Sequence, residues 1–378
     1  MTWPTKKLVE VCELQRGSEP GSKTYNDKGE GIRFIRVADI SKQTTAPIWT
    51  TGKNLIICKR DDILMTFDGS PGVVFRGLEG AISSGIRIIK PKNNKELLGN
   101  FLFYALQIEA VQKIVREHTF GASILHASKS IPYIEIPLPP LGIQKRIVAR
   151  IEELFEKIDK AKELRQKAQE ETNQIFQSAL QEIFSKAKKK WGVKKLGDPN
   201  VCEIIMGQSP PSSTYNKEKI GLPFYQGKKD FGILYPTPSI WCSAPIKIAK
   251  PNDVLISVRA PIGSVNLCKE ISAIGRGLAA LRPNLQKLNF HFLFFYLKSI
   301  EMNWIRPGTT FPEIKRKDLE ILEIPLPPLP EQKKIVDYLD DLREKVEKLK
   351  QLQQKQLEEL NELKNSILDK AFKGELIK

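Results

Sequence analysis

The sequence predicts an α+β protein: two mixed α/β globular segments in tandem, separated by two long helices that form an antiparallel coiled coil, the whole a pseudo-two-fold internal repeat. Three observations carry this. The block IPLPPLGIQKRIV at Ile136–Val148 returns as IPLPPLPEQKKIV at Ile324–Val336, 188 positions later in a chain of 378. After each block, apolar residues recur at alternating four- and three-residue spacing with no Pro or Gly to interrupt them. The basic excess of the chain lies outside those periodic stretches.

The duplication extends beyond the block. Trp3 and Trp191 share its offset, Thr24-Tyr25-Asn26 answers Thr214-Tyr215-Asn216, Asp62–Met65 answers Asp253–Ile256, and Phe101–Tyr104 answers Phe292–Phe295. The expected organisation is a first globular domain at 1–135, a proline junction and central helix at 136–190, a second globular domain at 191–323, and a second junction and helix at 324–378.

Within the globular segments, short apolar runs at 32–37, 62–66, 85–90 and 254–258 sit between Gly, Pro, Asn and Ser clusters and predict strands. Residues 100–116 and 289–300 predict amphipathic helices. In the first long segment Ile147, Ile151, Leu154, Ile158 and Ala161 form one apolar seam; in the second, Ile335, Leu339, Leu342, Val346 and Leu349 do so. Forty-odd helical residues span roughly 60–70 Å. Continuing the count puts Arg165, Thr172, Gln353 and Gln356 on the seams. In an antiparallel pair they meet in one polar layer, which either fixes register or is merely tolerated. The proline blocks read as stiff junctions that fix the exit of each helix, or as ligands for aromatic-groove domains.

The net charge of +16 points to a polyanionic partner. Residues 142–185 carry eight basic and eight acidic side chains, and residues 331–378 carry eleven of each, so the excess belongs to the globular segments and junctions. No apolar run reaches the roughly 18 residues of a spanning helix, and the N-terminus does not resemble a signal peptide, so a cytoplasmic location is expected. Cys12, Cys58, Cys202, Cys242 and Cys268 are scattered without a Cys-x-x-Cys, as for free buried thiols.

Catalytic motifs are scarce. The chain has no Walker-type phosphate loop, no dinucleotide or S-adenosylmethionine glycine fingerprint, and no Asn/Asp-Pro-Pro-aromatic tetrad. His118, His126 and His291 have no metal spacing. Glu313-Ile314-Lys315 resembles the end of a nuclease element but lacks an acidic partner on a preceding strand, and a turn with a salt bridge is expected there. No catalytic residue, metal site or cofactor is expected in this chain.

The doubled [I/L]-P-L-P-P-L-x-x-Q-x-x-I-V block opening a long helix, with the Asp62-Ile-Leu-Met-Thr-Phe-Asp-Gly and Asp253-Val-Leu-Ile-Ser-Val-Arg-Ala-Pro-Ile-Gly runs, resembles the specificity subunits of type I restriction-modification enzymes over essentially the whole chain. The resemblance implies two target recognition domains, each reading one half of a split, asymmetric double-stranded DNA sequence. It implies an antiparallel coiled coil that sets half-site separation and docks two methyltransferase subunits, with restriction subunits where the system has them. S-adenosylmethionine, and ATP and Mg with a restriction subunit, would then belong to those partners.

Base edges require polar side chains on loops that enter a groove. The DNA-contact candidates are Arg33, Arg36, Ser70, Arg76 and Arg87 in the first domain and Gln226, Lys228, Lys229, Arg259 and Arg276 in the second. Any of these could instead contact phosphate. Candidates for partner docking are Gln144, Arg150, Phe155, Phe176, Gln332, Tyr338 and Phe372; an aromatic among them could equally pack on its own domain. The competing readings are a coiled-coil scaffold whose two basic modules bind nucleic acid without sequence preference, and a single-chain restriction-methylation enzyme, for whose motifs the chain has no room.

Overall fold

The computed structural model describes residues 3–41, 46–301 and 313–376. It divides into two compact units, residues 1–165 with 354–378 and residues 166–353. Each unit therefore holds one globular domain, the half of one long helix that leaves or enters it, and a half of the other.

In the first unit, Thr5–Lys7 pairs antiparallel with Glu135–Pro137, so the proline junction is clamped as a strand against the start of the chain. A four-stranded antiparallel sheet runs in the order Cys12–Arg16, Ile86–Pro91, Ile63–Thr66, Val74–Phe75. A five-stranded sheet runs Tyr25–Asn26, Ile48–Thr50, Ile32–Ile35, Gly80–Ile82, Ile57–Cys58, with one parallel pair between Ile32–Ile35 and Gly80–Ile82.

The second unit repeats this order strand for strand. Val193–Lys195 pairs with Glu323–Pro325. The four-stranded sheet runs Cys202–Met206, Leu278–Pro283, Val254–Ser257, Val265–Leu267. The five-stranded sheet runs Tyr215–Asn216, Trp241–Cys242, Leu222–Tyr225, Ser272–Ile274, Ile248–Ala249, again with a single parallel pair.

The uninterrupted apolar character of Ile63–Thr66 follows from burial on both faces. Side chains alternate along a strand, so Ile63 and Met65 join the core beneath the helices while Leu64 packs with Ile35, Ile82 and Ile88 between the two sheets. Val254, Ile256 and Leu255 divide in the same way. At the end of each of these strands' leading turns sits a buried carboxylate. Asp62 meets Lys90 at 2.7 Å, and Asp253 is held by both Arg282 Nε and Nη2 at 2.9 Å.

The long helices are Leu141–Trp191 and Leu329–Phe372. Their ends form the floor of each globular core. Ile147 and Ile151 pack in the first core with Leu368 and Phe372; Val336 and Leu339 pack in the second with Leu180 and Phe184. Phe372 packs against Phe101 with centroids 4.9 Å apart and ring planes tilted by 42°, and its counterpart Phe184 meets Phe292 at 5.2 Å. Within the first unit the helices run antiparallel, with Asp159 bonded to Lys364 and Lys162 to Asn361, both at 2.6 Å.

Within the second unit, Gln353 Nε2 donates to Thr172 Oγ1 at 3.0 Å, with Gln353 6% and Thr172 3% exposed. Two members of the expected polar layer thus meet in the seam. Arg165 is exposed and does not belong to it.

Three expectations are corrected. Residues 100–116 are not one helix but two, Gly99–Ala105 and Glu109–Glu117. Gln107 Nε2 bonds Phe103 O and Gln112 Nε2 bonds Leu106 O, which satisfies carbonyls released at the break. The helix Phe290–Ser299 is not amphipathic, because Phe292 through Leu297 are all buried. The basic excess is not confined to the globular segments and junctions, because the central helix extends to Trp191 and includes Lys186, Lys188, Lys189 and Lys190, whose positive charge at its C-terminal end suits the helix dipole.

The conserved glutamine of the repeated block has a structural role in both copies. Gln144 is fully buried; its Oε1 accepts from Leu98 N at 2.9 Å and its Nε2 donates to Glu96 O at 2.8 Å and Pro139 O at 2.9 Å. Gln332 repeats the pattern with Asn289 N at 2.8 Å and with Lys287 O and Pro327 O at 2.7 Å. Gln144→Leu or Gln332→Leu leaves these backbone groups buried without partners and should cost about 3 kcal/mol in denaturant unfolding. An unchanged midpoint contradicts the clamp.

All five cysteines are free and buried. Burial pushes the Cys12, Cys202 and Cys268 thiols up to about 12 and that of Cys58 to about 11. Titration of the native protein with a thiol reagent at pH 8 should therefore find no fast-reacting cysteine, and all five should react after denaturation.

Candidate functional site

At one end of each globular domain, the turns that leave both sheets converge on a common backbone framework. In the first domain Ser83 N donates to Ile35 O, Phe67 N to Gly85 O, Gly17 N to Ile86 O, Ser18 N to Ile82 O, and Ala127 N to Phe67 O, all at 2.7–3.0 Å. In the second, Gly275 N donates to Tyr225 O, Val258 N to Gly277 O, Gly207 N to Leu278 O, Gln208 N to Ile274 O, and Ile314 N to Val258 O, at 2.8–3.1 Å. These bonds match one to one between the repeats. They place four turns side by side in each domain, and the framework needs glycine where the chains cross. A Cβ on Gly277 would lie 2.2 Å from Gln226 O, and one on Gly207 would lie 2.2 Å from Gly275 O.

Side chains at equivalent tip positions differ. In the first domain, Glu19 Oε1 accepts from Ser84 N at 2.9 Å and from Ser84 Oγ at 3.0 Å. At the matching place Ser209 Oγ accepts from Arg276 N at 3.2 Å. Asp68 Oδ1 pairs with His126 Nδ1 at 2.7 Å across an isolated antiparallel bridge. The corresponding bridge in the second domain joins Arg259 to Glu313, with Nε and Oε1 3.5 Å apart. The Ala260–Pro261 peptide beside it is cis.

Seven of the expected DNA-contact residues fall on or beside these tips. In the second domain Arg259, Arg276, Lys228 and Lys229 are exposed, and Gln226 lies beneath them, its Oε1 accepting from Lys229 Nζ at 3.1 Å. In the first domain Ser70 lies on the turn that follows Asp68, and Arg36 follows the strand Ile32–Ile35. Arg36 is tied down locally, its Nε and Nη2 each 3.1 Å from Asp39 carboxylate oxygens. The other three are not at the tip. Arg33 sits within its strand opposite Trp49.

Arg76 lies over the Phe103 ring, 4.4 Å from its centroid, and donates to Asn100 Oδ1 at 2.8 Å. It lines a cleft of about 770 Å³ beside Asp62, Lys90 and the central-helix residues Lys145 and Glu152. Arg87 is only 6% exposed; it donates to Ser84 O at 2.7 Å and to Ser128 Oγ at 3.2 Å, and burial with Arg16 nearby holds its pKa below the ordinary guanidinium value. Arg87 is therefore a buttress of the Ser84 turn, not a groove contact.

Glu19, Asp68, Ser84, His126, Ser209 and Glu313 complete the tips and were not singled out as contacts from the sequence. Aligning the two halves position by position sets Asp68 against Arg259 and Ser84 against Arg276, and that signal was available. Glu313 makes a salt bridge as expected, with Arg259, but from an isolated antiparallel bridge and not from a turn.

The partner-docking candidates divide by exposure. Tyr338 is 55% exposed beside an apolar groove of about 300 Å³ formed with Ala179, Ile183 and Ile335. Arg150 is on the surface, paired with Glu153 at 2.6 Å. Phe155 and Phe176 are half-buried against Tyr104 and Phe295 of their own domains. Gln144, Gln332 and Phe372 are buried, so their expected docking role is replaced by the internal one described above.

Comparison with known proteins assigns the chain. The family described as "Type I restriction modification DNA specificity domain" matches residues 1–170 and again 188–359, and the chain belongs to this family. The protein named as the MjaX type I restriction enzyme specificity subunit of Methanocaldococcus jannaschii is 34% identical over 277 residues, covering 69% of this chain and 63% of that relative's length. The MjaVIII specificity subunit of the same organism is 26% identical over 352 residues, covering 85% of this chain and 78% of the other.

Among solved structures, a chain reported under complex assembly and conformational transition of the type I R-M system has TM-score 0.78 at 37% identity, with 99% of this chain and 98% of the other covered. The HsdS subunit from Thermoanaerobacter tengcongensis has TM-score 0.57 at 37% identity, covering 99% and 97%. Among the described residues no helix is long and apolar enough to cross a membrane.

If the tips depend on glycine at the crossing, Gly277→Ala forces the Gln226 turn away and should cost about 1–3 kcal/mol, read as a lowered thermal midpoint. Gly142→Ala, whose added Cβ meets nothing within 4 Å, serves as the neutral control.

Proposed function

We propose that this chain is the DNA-specificity component of a type I restriction-modification system. Each globular domain reads one half of a bipartite, asymmetric duplex target through the tip described above. The observation that carries this reading is the pair of matched backbone frameworks bearing unlike side chains. A shared scaffold with divergent polar tips suits two related readers of two different sequences. Lys228 and Lys229 suit phosphate contacts, which position the protein without specifying bases.

The long helices fix the separation of the readers, and their exposed faces, with Tyr338 and Arg150 on them, dock two methyltransferase subunits and, in systems that carry them, restriction subunits. Methyl transfer from S-adenosylmethionine, and ATP- and Mg-dependent cleavage, are assigned to those partners; this chain supplies recognition in the cytoplasm and has no catalytic role. Family membership and the 37% identical solved structures support the reading.

The test is co-expression with the methyltransferase of the same system, followed by mapping of methylated bases in host DNA. The expected result is one motif of two unlike halves at a fixed gap. A paired insertion, four residues after Gln166 and four between Gln356 and Asn361, leaves the Asp159–Lys364 and Thr172–Gln353 contacts each intact. It adds about 6 Å of helix and should lengthen the gap by about one or two base pairs with both halves unchanged. Methylation without a bipartite motif, as a non-specific basic scaffold would give, contradicts the proposal, as does an insertion that alters the bases read.

A further inference from the structure

The two tips differ in hydrogen-bond polarity at positions that the backbone makes equivalent. Phe67 and Val258 make matching bonds, to Gly85 O and Gly277 O, so the residues that follow them, Asp68 and Arg259, occupy one place in the two domains. The first is an acceptor held by His126, the second a donor held by Glu313. One turn away the polarity changes in the same sense: a carboxylate–hydroxyl pair, Glu19 with Ser84, stands where the second domain has a hydroxyl with an arginine, Ser209 with Arg276.

Two neighbouring substitutions in the same sense amount to more than scattered surface charge, particularly in a chain of net charge +16 whose expected ligand is an anion. A carboxylate facing a polyanion is repelled unless it meets a donor there. Asp68 presents one oxygen to His126, with the Arg87 guanidinium within electrostatic reach, and its other oxygen makes no hydrogen bond among the described residues; its side chain is 17% exposed, against 50% for Arg259.

We infer that Asp68 and Arg259 are the corresponding specificity residues of the two domains and read opposite base chemistries. In the major groove guanine offers the acceptors O6 and N7, which suit an arginine fork, whereas cytosine and adenine offer an exocyclic amine, which suits a carboxylate. Arg259, with Arg276 beside it, contacts a guanine in one half-site. Asp68, oriented by His126 and flanked by the Glu19–Ser84 pair, accepts from the amine of a cytosine or adenine in the other. This inference rests on the DNA-reading function proposed above.

The experiment uses the full chain co-expressed with its methyltransferase and compares methylation motifs of the parent with those of Asp68→Ala, Asp68→Asn, Arg259→Ala and Arg259→Lys. Loss of a good base contact relaxes discrimination about tenfold or more at its position. Asp68→Ala should relax a single position, a cytosine or adenine, in one half-site; Arg259→Ala should relax a single guanine in the other. Asp68→Asn keeps the shape and offers one acceptor, so it should relax the same position less than Ala does. Arg259→Lys should likewise be milder than Arg259→Ala.

A parent complex with no bipartite motif overturns the proposed function itself. A parent motif that persists in the alanine variants, that weakens equally at all positions, or that relaxes at bases of the wrong class overturns this inference and leaves the proposed function standing. Thermal midpoints of the Asn and Lys variants matching the parent exclude misfolding as the cause of a changed motif.

Discussion

The amide of Gln144 joins three backbone groups that belong to different parts of one unit: the start of the helix Gly99–Ala105 through Leu98, the turn before it through Glu96, and the proline junction through Pro139. Gln332 does the same in the other unit. A buried amide that uses both donors and its acceptor fixes distance and direction together, because every misalignment leaves a desolvated polar group. Apolar packing then completes the joint, with Ile147 and Ile151 or Val336 and Leu339 beneath each core. The first turn of each long helix is thereby made part of its globular domain, and the orientation of the strands above it follows.

Outward from that joint both sheets keep their order, and the repeats part at the tips. The four-stranded sheet keeps its order, its fully buried strands Ile63–Thr66 and Val254–Ser257, and its ion pairs Asp62–Lys90 and Asp253–Arg282, while one apolar residue replaces another at many of its positions. The five-stranded sheet keeps its order, its one parallel pair and many side chains, with Tyr25, Phe34 and Trp49 answered by Tyr215, Phe224 and Trp241. At the tips only backbone hydrogen bonds and crossing glycines persist, and the polar groups differ in kind. Burial explains the contrast between sheets and tips: a change of one methylene in a packed interior is felt, whereas a tip residue needs only to leave the backbone bonds beneath it alone.

This contrast also sets what the sequence can reveal. The duplication, the strands at 63–66, 86–91 and 254–257, and the long helices are written in periodicity and in repeated blocks, and those patterns survive because packing enforces them. The Thr172–Gln353 contact was readable as an interruption of a heptad seam. Gln144 was not readable as a core residue, since glutamine on the first turn of a polar helix resembles a surface side chain until its three backbone partners are known. Arg87 misled for the same reason: a basic residue in a strand suggests a contact, and only the structure shows it propping the Ser84 turn from below. The break between Gly99–Ala105 and Glu109–Glu117 carries no Pro or Gly, being set by Gln107 and Gln112 bonding to backbone carbonyls. Asp68 carries no such signal by itself, because a carboxylate is not the obvious group to offer an anion; its equivalence with Arg259 shows in the matched backbone bonds of Phe67 and Val258.

The central claim is that the two domains are interchangeable readers on equivalent mounts. A domain transplant tests it most directly. Residues 193–325 are replaced by a second copy of residues 5–137, cut within strands that pair identically in the two units, Thr5–Lys7 with Glu135–Pro137 and Val193–Lys195 with Glu323–Pro325. Methylation mapped with the co-expressed methyltransferase should then show a motif made of the first half-site written twice, at the original gap. A folded chimera that retains the original asymmetric motif, or that reads a sequence unrelated to either half-site, would contradict the account.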